Sequence, residues 1–440
     1  MTIFKREMQM TRLFPVAMLF LLFVSGCSGF LQDSGTAVPP GNFVPTDTIL
    51  PTVEISGTPA GSPTPPGPVT LRLWVPPQFD PTSGTPAADL LQARLDEFSK
   101  RRQGVNVEVR IKAEGGSGGL LDSLTTTSAA APLALPDLIA LPGPGLETAA
   151  LKGLLHPLDA LDTPLDDHDW YNYARQLAQI QERTYGLPFA GDALALVYRP
   201  DVVAAPPLDW NAVLNNISPL VFSAADPLAL FTLMQYQANN GAVRDEQGRP
   251  FLDEDVLAEV LTFYQDAEQT GVMPYWLTQY QDDEQVWEAF LDKRADIAVI
   301  WASRFLGEPP VESAAAQVPT PDGTPYTIAT GWVWAIPTHQ PERQELSIDL
   351  AEFLTEGDFL GEWSKAAGLL PTRSSALEGW SEESVRALIE DIVLSARILP
   401  PVDILTSLGS PLQMATVDVL KGQSDPRTAA QRVNETLTGP

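Results

Sequence analysis

The 440-residue chain has only one cysteine, Cys27, and only three histidines. A single thiol excludes an internal disulfide and any metal or redox site built on paired cysteines. The chain also lacks a His-Glu-x-x-His zinc motif, a Walker A phosphate loop and a calcium-binding loop of the EF-hand type. We therefore expect no metal and no cofactor.

Basic residues are scarce as well, since 27 Lys and Arg stand against 56 Asp and Glu, for a formal net charge of -29. Binding to nucleic acid needs a basic face that neutralises phosphates, so we expect no nucleic-acid partner. Strong acidity favours a soluble, self-repelling chain and indicates nothing about the fold. We expect a monomer.

The apolar run near the N-terminus, Leu13–Val24, is too short to span a membrane comfortably. Basic residues precede it and Ser25-Gly26-Cys27 follows it. This order is typical of a signal peptide over residues 1–27, and small residues before a cysteine resemble the bacterial lipobox. Acyl chains on Cys27 would hold the protein on the extracytoplasmic face of the cell membrane without spanning it. The alternative is an incidental cysteine in an ordinary signal peptide.

Residues 28–68 are rich in Pro, Thr, Gly and Ser. Such a segment cannot bury enough apolar surface to offset the entropy of ordering it, so we predict a disordered tether. Its prolines keep it extended, as in a semi-rigid spacer.

Beyond the tether, strand and helix patterns alternate. Val69–Val75 and Val105–Ile111 alternate apolar and polar residues, which predicts strands, and a helix is predicted between them over 87–102. A third strand is predicted over 136–141. This alternation favours an α/β fold with parallel strands, and the chain length favours two domains.

The stretch Tyr185–Tyr198 has the pattern of a buried strand, with a Gly-Leu-Pro turn before it and Asp192 just ahead of its most apolar part. Gly191 allows the backbone to bend or approach a neighbour closely. We interpret this stretch as the crossing from one lobe to a second, with Asp192 facing the gap.

Several motifs follow in a characteristic order, and together they resemble the extracellular solute-binding proteins of bacterial ABC importers, the family that includes the maltodextrin-binding protein. The resemblance covers about Val69 to the C-terminus. The motifs that carry it are Tyr185–Leu194, Asn240-Gly241, Gln269–Pro274, Phe290–Ala298, Gly331–Pro337 and Glu362–Pro371.

The resemblance implies a two-lobe, periplasmic-binding-protein-like (type II) architecture in which hinge crossings let the lobes close over a solute. We predict one lobe from 69–191 plus about 328–375, and a second from about 192–327 plus 376–440.

Flat indole rings suit the apolar faces of sugars, and carboxylates suit sugar hydroxyls. Trp301 ends a predicted strand close to a position where relatives carry an aromatic that stacks on ligand, and Ser303 and Arg304 share this candidacy. Trp332 and Trp334 alternate on one face of another strand; we expect one of them in the core and favour Trp332 as the contact.

Three further residues, Asp192, Asp226 and Gln78, correspond to loop or strand positions that contact ligand in relatives. Asp192 matches an acidic residue that reaches a sugar hydroxyl, a strong type of hydrogen bond. Asp226, before Pro227, resembles a ligand-contacting Glu-Pro pair, with an ordinary helix cap as the equal alternative. Gln78 follows the first strand, and Arg373 is a candidate for an anionic group or for solvent. Leu141 departs from the polar or aromatic residues usual at its position.

The resemblance implies a lipid-anchored receptor that captures a solute, most readily a carbohydrate, and delivers it to the permease subunits of an ABC transporter. The alternatives are a non-sugar solute (a polyamine, a peptide or an organic anion) and a surface hydrolase. The hydrolase alternative rests on Ser117 in Gly115–Gly119, which formally matches the nucleophile motif G-x-S-x-G. The strand before it has the alternation of a half-exposed strand rather than a fully buried one, so we do not expect an enzyme.

Overall fold

The structure is a computed structural model, and it describes residues 68–158, 165 and 167–439. The predicted signal peptide, Cys27 and all but the last residue of the predicted tether lie outside these residues. Among the described residues, no helix combines the length and the apolar character needed to cross a bilayer.

Strands and helices alternate along most of the described chain. The strands are β1 (Val69–Val75), β2 (Val105–Ile111), β3 (Leu138–Pro142), β4 (Gln179–Ile180), β5 (Arg183–Thr184), β6 (Gly186–Tyr198), β7 (Leu220–Val221), β8 (Ile297–Trp301), β9 (Ala314–Ala316), β10 (Thr327–Ala335) and β11 (Ala396–Ile398). The α-helices are α1 (Pro86–Arg101), α2 (Leu120–Ala130), α3 (Gly143–Leu151), α4 (Asn172–Ala178), α5 (Trp210–Leu214), α6 (Leu230–Ala238), α7 (Glu254–Gln269), α8 (Asp283–Leu291), α9 (Ala302–Gly307), α10 (Pro341–Phe353), α11 (Gly357–Ala367), α12 (Ser374–Glu378), α13 (Glu383–Ser395), α14 (Val402–Leu420) and α15 (Pro426–Thr438).

The sequence explains the first helix directly. The Thr85 side chain accepts a hydrogen bond from the Ala88 amide, and proline occupies the first helical position, where no amide hydrogen is needed. Leu91, Leu95 and Phe98 recur at helical spacing and are buried in the same core as the side chains of β1. The helix predicted over 87–102 is thus confirmed to within one residue at each end.

The described strands other than β4 and β5 form one mixed sheet, in the order β2-β1-β3-β10-β6-β8-β7, with β11 added to β10 and β9 added to β6. β1 runs parallel to β2 and β3, which confirms the predicted parallel unit. β10 runs antiparallel to β3 and to β6, and β7 runs parallel to β8.

Buried hydrophobic side chains form two clusters on this sheet. The first core comprises β1, β3, the first half of β6 and most of β10, with α1, α4, α11 and α13 packed around them. The second core comprises the end of β6, β7 and β8, with α6, α7, α8, α14 and α15. The sheet is therefore shared between two separate hydrophobic cores.

Strand β6 belongs to both cores. Its residues 186–193 pair with β10, whereas residues 194–198 pair with β8 and β9. Ala193 is buried in the first core and Leu194 in the second. The chain therefore passes from one core to the other within a single strand.

Two later segments also connect the cores. Within β10, Ile328 is buried in the second core and Ala329 in the first. After β11, the chain leaves the first core at Ala396 and enters the second at Ile404 in α14. The buried residues of α13 belong to the first core, although we placed 376–440 in the second lobe; the predicted lobe limits remain a prediction.

Gly191 lies where β6 passes closest to α4. A Cβ built on it would come within 2.1 Å of the Tyr173 hydroxyl oxygen, and that hydroxyl donates a 2.7 Å hydrogen bond to the Pro371 carbonyl. Because Tyr173 is fully buried, its ring has little room to move away.

We expect Gly191→Ala to lower the free energy of unfolding by about 1–3 kcal/mol, the usual cost of overpacking a core. Urea denaturation checks it against Gly307→Ala, whose added methyl would meet nothing within 4 Å. Equal stability of the two variants would contradict the packing described here.

Candidate functional site

The loops that follow β1, β2 and β3 lie at one edge of the sheet, because these strands are parallel. Loops at the carboxyl ends of strands are where α/β proteins usually bind ligands. The segments that follow β2 and β3 border a cavity of about 680 Å³, which we call the strand-end cavity. Its lining comprises residues 114–116, the first half of α2, 330–332 of β10, the first residue of α14, and Leu141, Pro142, Pro144, Gly145, Thr148 and Lys152.

Both cores border this cavity. β3 and β10 supply residues from first-core strands, whereas Val402 begins α14, which packs in the second core. A cavity between two cores that share only a few chain crossings changes shape when the cores move relative to one another.

A second cavity, of about 740 Å³, adjoins the first and shares Thr148, Lys152, Thr330 and Val402 with it. Its lining mixes aliphatic and polar side chains and includes the chain segment 398–402 that leads from β11 into α14. This cavity therefore lies against the third connection between the cores.

One side chain joins the cores at the boundary of these cavities. The carboxylate of Glu147, on α3, accepts a 2.9 Å hydrogen bond from the backbone amide of Val402. A carboxylate at the first turn of a helix satisfies a free amide and interacts favourably with the helix dipole. Sequence reasoning missed Glu147, because nothing in its local pattern distinguishes it from a solvated helix residue.

Trp332 and Trp334 have different environments. Trp332 is half-buried, lines the strand-end cavity and makes an edge contact with Phe79 at 5.1 Å between ring centroids. Trp334 is 2% exposed and stacks on Phe189 at 4.1 Å inside the first core. Trp334, although also predicted as a ligand contact, therefore faces protein rather than the cavity.

Asp192 lies on β6 at the passage between the cores, directly opposite Thr330 on β10. Its Oδ1 accepts hydrogen bonds from the amides of Ala193 (2.9 Å) and Ser303 (3.1 Å), and its Oδ2 accepts one from the Ser303 hydroxyl (2.5 Å). A carboxylate has about four acceptor positions, so three of them are already occupied by protein donors.

Burial raises the pKa of Asp192 to about 7, although the hydrogen bonds from Ser303 and Ala193 act in the opposite direction. The negative charge of Asp283 nearby raises it further. The carboxyl group therefore titrates near neutral pH, where an ordinary aspartate is fully ionised.

Trp301 and Arg304 are held by Asp283 of α8. The Asp283 carboxylate accepts hydrogen bonds from the Trp301 amide at 2.9 Å and from Nε of Arg304 at 2.7 Å, and burial raises its pKa. Arg304 also forms an ion pair with Glu284. Arg304 is therefore neutralised by two carboxylates, and the half-buried Trp301 ring packs against the second core.

Asp226 stabilises the turn that leads into α6. Its two carboxylate oxygens accept hydrogen bonds from the amides of Leu228 and Leu230, each at 3.0 Å, at the start of α6. Burial raises its pKa, and these bonds oppose the rise. Ala229 is the N-cap of α6, so Asp226 lies three residues before the cap position and ligand contact by Asp226 stays a prediction.

The other predicted positions lie at the rim of the strand-end cavity or outside it. The exposed Gln78 donates a 3.3 Å hydrogen bond to Glu114, which lines the cavity, and Leu141 is fully buried beside it. Arg373 lies in a different cavity, where its guanidinium stacks on Trp170 at 4.2 Å and donates to the Thr355 carbonyl at 3.2 Å.

Ser117 is exposed in the glycine-rich loop before α2. Among the described residues, no hydrogen bond joins it to a histidine, and no group of three or more His, Cys, Asp or Glu is arranged to hold a metal ion. The loop is stabilised by the Asp122 carboxylate, which accepts a 2.8 Å hydrogen bond from the Gly118 amide.

The profile of a family described as bacterial extracellular solute-binding protein matches residues 93–387. The chain therefore belongs to this family, as the sequence motifs predicted. No curated protein matches the sequence.

Solved structures of sugar-binding proteins share the fold. A cyclo/maltodextrin-binding protein in complex with maltotetraose is 18% identical, with a TM-score of 0.69 over 84% of this chain and 97% of that chain. The cyclic alpha-maltosyl-1,6-maltose binding protein of Arthrobacter globiformis is 19% identical, with a TM-score of 0.68 over 84% and 98%. The GacH receptor of Streptomyces glaucescens is 18% identical, with a TM-score of 0.63 over 83% and 96%.

These comparisons confirm the predicted fold class, an α/β protein with two lobes of the periplasmic-binding-protein type. The family and these neighbours are binding proteins rather than enzymes. The family is extracellular, which supports an extracytoplasmic location.

We expect Asp226→Ala to lower the free energy of unfolding by about 1 kcal/mol, because it removes the acceptor for two amides at the start of α6. Asp226→Asn keeps one acceptor oxygen and should cost less. Chemical denaturation of both variants measures the difference; unchanged stability of Asp226→Ala, with weakened solute binding, would favour ligand contact instead.

Proposed function

We propose that this protein is the lipid-anchored receptor of an ABC importer, and that it captures a carbohydrate between its two lobes and delivers it to the transporter's permease subunits. The observation that carries the proposal is the strand-end cavity, which both cores border and into which the half-buried Trp332 faces. Anchoring through Cys27 rests on the sequence pattern alone.

Trp332 is the group best suited to stack on a sugar. Its ring is fixed by the edge contact with Phe79 and by the pairing of β10 with β3 and β6, so little side-chain entropy is lost when a ligand binds. Thr125, Thr148 and Thr330 line the same cavity and offer hydroxyls to sugar hydroxyls. Closing the lobes would remove water from this cavity and strengthen each hydrogen bond in it.

Relatives with the same fold were solved with sugars of different sizes, among them maltotetraose, alpha-D-tagatose and mannotriose. Their shared property is a ring with apolar faces and hydroxyl edges. This supports a carbohydrate as the class of solute for the present chain. The binding measurements proposed below would determine the size of the sugar.

A cationic solute such as a polyamine is the second candidate. Glu114 and Asp122 line the strand-end cavity with Lys152 as the single basic residue of its lining, so the lining carries an excess of negative charge. Negative charge attracts an amine but interacts weakly with a neutral sugar.

We expect the protein to bind at least one of maltose, maltotetraose, tagatose and mannotriose, as measured by isothermal titration calorimetry. Trp332→Ala should weaken that binding about tenfold or more, because the stacking surface is lost, whereas Trp332→Phe should retain most of it. A stabilised midpoint of thermal unfolding in the presence of the same sugar provides an independent check.

Spermidine and citrate serve as comparison ligands in the same titrations. Binding of spermidine without binding of any sugar would replace the carbohydrate assignment with the cationic one. Equal affinities of Trp332→Ala and the parent chain for a bound sugar would remove Trp332 from the site.

A further inference from the structure

The helix α9 lies between the two cores and touches both. Ala302 is buried in the first core and Leu306 packs against it, whereas Phe305 packs against the second core. The helix directly follows β8 of the second core, so it is connected by the chain to one core and packed against the other. Its position therefore depends on how the two cores are arranged.

Asp192 holds this helix to the first-core half of β6. The two bonds from Ser303, at 3.1 Å and 2.5 Å, join the start of α9 to the strand that passes between the cores. With the Ala193 amide, they occupy most of the acceptor capacity of the carboxylate. Little acceptor capacity therefore remains on the Asp192 carboxylate for a hydrogen bond with a solute.

We infer that Asp192 is a positioning residue rather than a solute contact: it acts through Ser303 to fix α9 between the cores, and its protonation state sets how firmly α9 is held. The charged and titratable groups that face it are Asp283 from α8 and the fully buried Tyr173 from α4. Arg304 of α9 is directed to Asp283 and Glu284 instead. No cation among these groups is paired with Asp192 to hold it ionised.

The direction of the pH dependence follows from the raised pKa of the Asp192 carboxyl group. Its pKa is about 7 in this arrangement and would return towards the ordinary 3.8 if α9 moved away and water reached the carboxyl group. The arrangement seen here therefore binds a proton more tightly than the released one. It is favoured below pH 7 and loses this advantage as the pH rises through 7.

Hydrogen exchange of the full chain tests this without any solute. After correction for intrinsic exchange rates, protection of the α9 amides should fall about tenfold between pH 6 and pH 8, because the raised pKa links one proton to the arrangement. Asp192→Asn is neutral at both pH values and keeps an acceptor for the amides and a donor for the Ser303 hydroxyl. In this variant, protection of the α9 amides should be the same at pH 6 and at pH 8.

Ser303→Ala is the matched variant, since it removes the hydroxyl and leaves the carboxyl group in place. Protection of α9 should be lower than in the parent chain, most strongly at pH 8. If the parent chain and Asp192→Asn show the same exchange at both pH values, Asp192 does not position α9 and the inference is wrong.

A second arm uses whichever solute binds, and it alone rests on the proposed function. As a positioning residue, Asp192 should give solute affinity a pH dependence between 6 and 8 that Asp192→Asn abolishes and Ser303→Ala alters. Direct contact predicts the opposite: Asp192→Asn weakens binding at both pH values and Ser303→Ala has no effect. Should no solute bind, the exchange measurement still decides the inference, so its failure is distinguishable from failure of the receptor proposal.

Discussion

The antiparallel pairing of β6 with β10 is the constraint on which the rest of the structure depends. Seven residues of each strand form the ladder, and each strand has one end in the second core. Backbone hydrogen bonds hold the two crossing strands together, and the cores therefore share one sheet. Besides these strands, the segment after β11 also connects them. If the protein captures a solute as proposed, the cores would rotate as separate bodies while the crossing strands remain paired.

The crossing also determines which polar groups lie near the cavities. Asp192 and Thr330 are paired across the two strands at the position where both pass between the cores. Glu147 accepts a hydrogen bond from the first amide of α14, and Asp192 accepts one from the Ser303 amide of α9, so two of the three crossing regions have a carboxylate bonded to the neighbouring element. Charge is thus used here to fix the relative position of helices as well as to line a cavity.

Local patterns in the sequence were sufficient for much of the fold. The strand at Val69–Val75 was predicted from alternation, and the structure has a strand with these bounds. The apolar run near Asp192 predicted a passage between lobes, and in the structure β6 pairs with β10 before this point and with β8 after it. The pairing of Asp192 with Ser303 was not predictable in the same way, because the two residues are 111 positions apart and only the folded sheet brings them together. The sequence predicted that one of Trp332 and Trp334 lies in the core and favoured Trp332 as the ligand contact. The contacts that give the two rings different environments, with Phe79 and with Phe189, were not predictable, because they form only in the folded chain.

The central claim is that two cores close around a solute on paired crossing strands. The most direct test is the distance between the cores, measured by pulsed electron paramagnetic resonance with labels at the exposed positions Leu133 and Ile217, in a chain with Cys27 replaced by serine. Addition of a saturating solute should shift the distance distribution to a single, shorter and narrower population. An unchanged distribution in the presence of a solute that calorimetry shows to be bound would contradict the account.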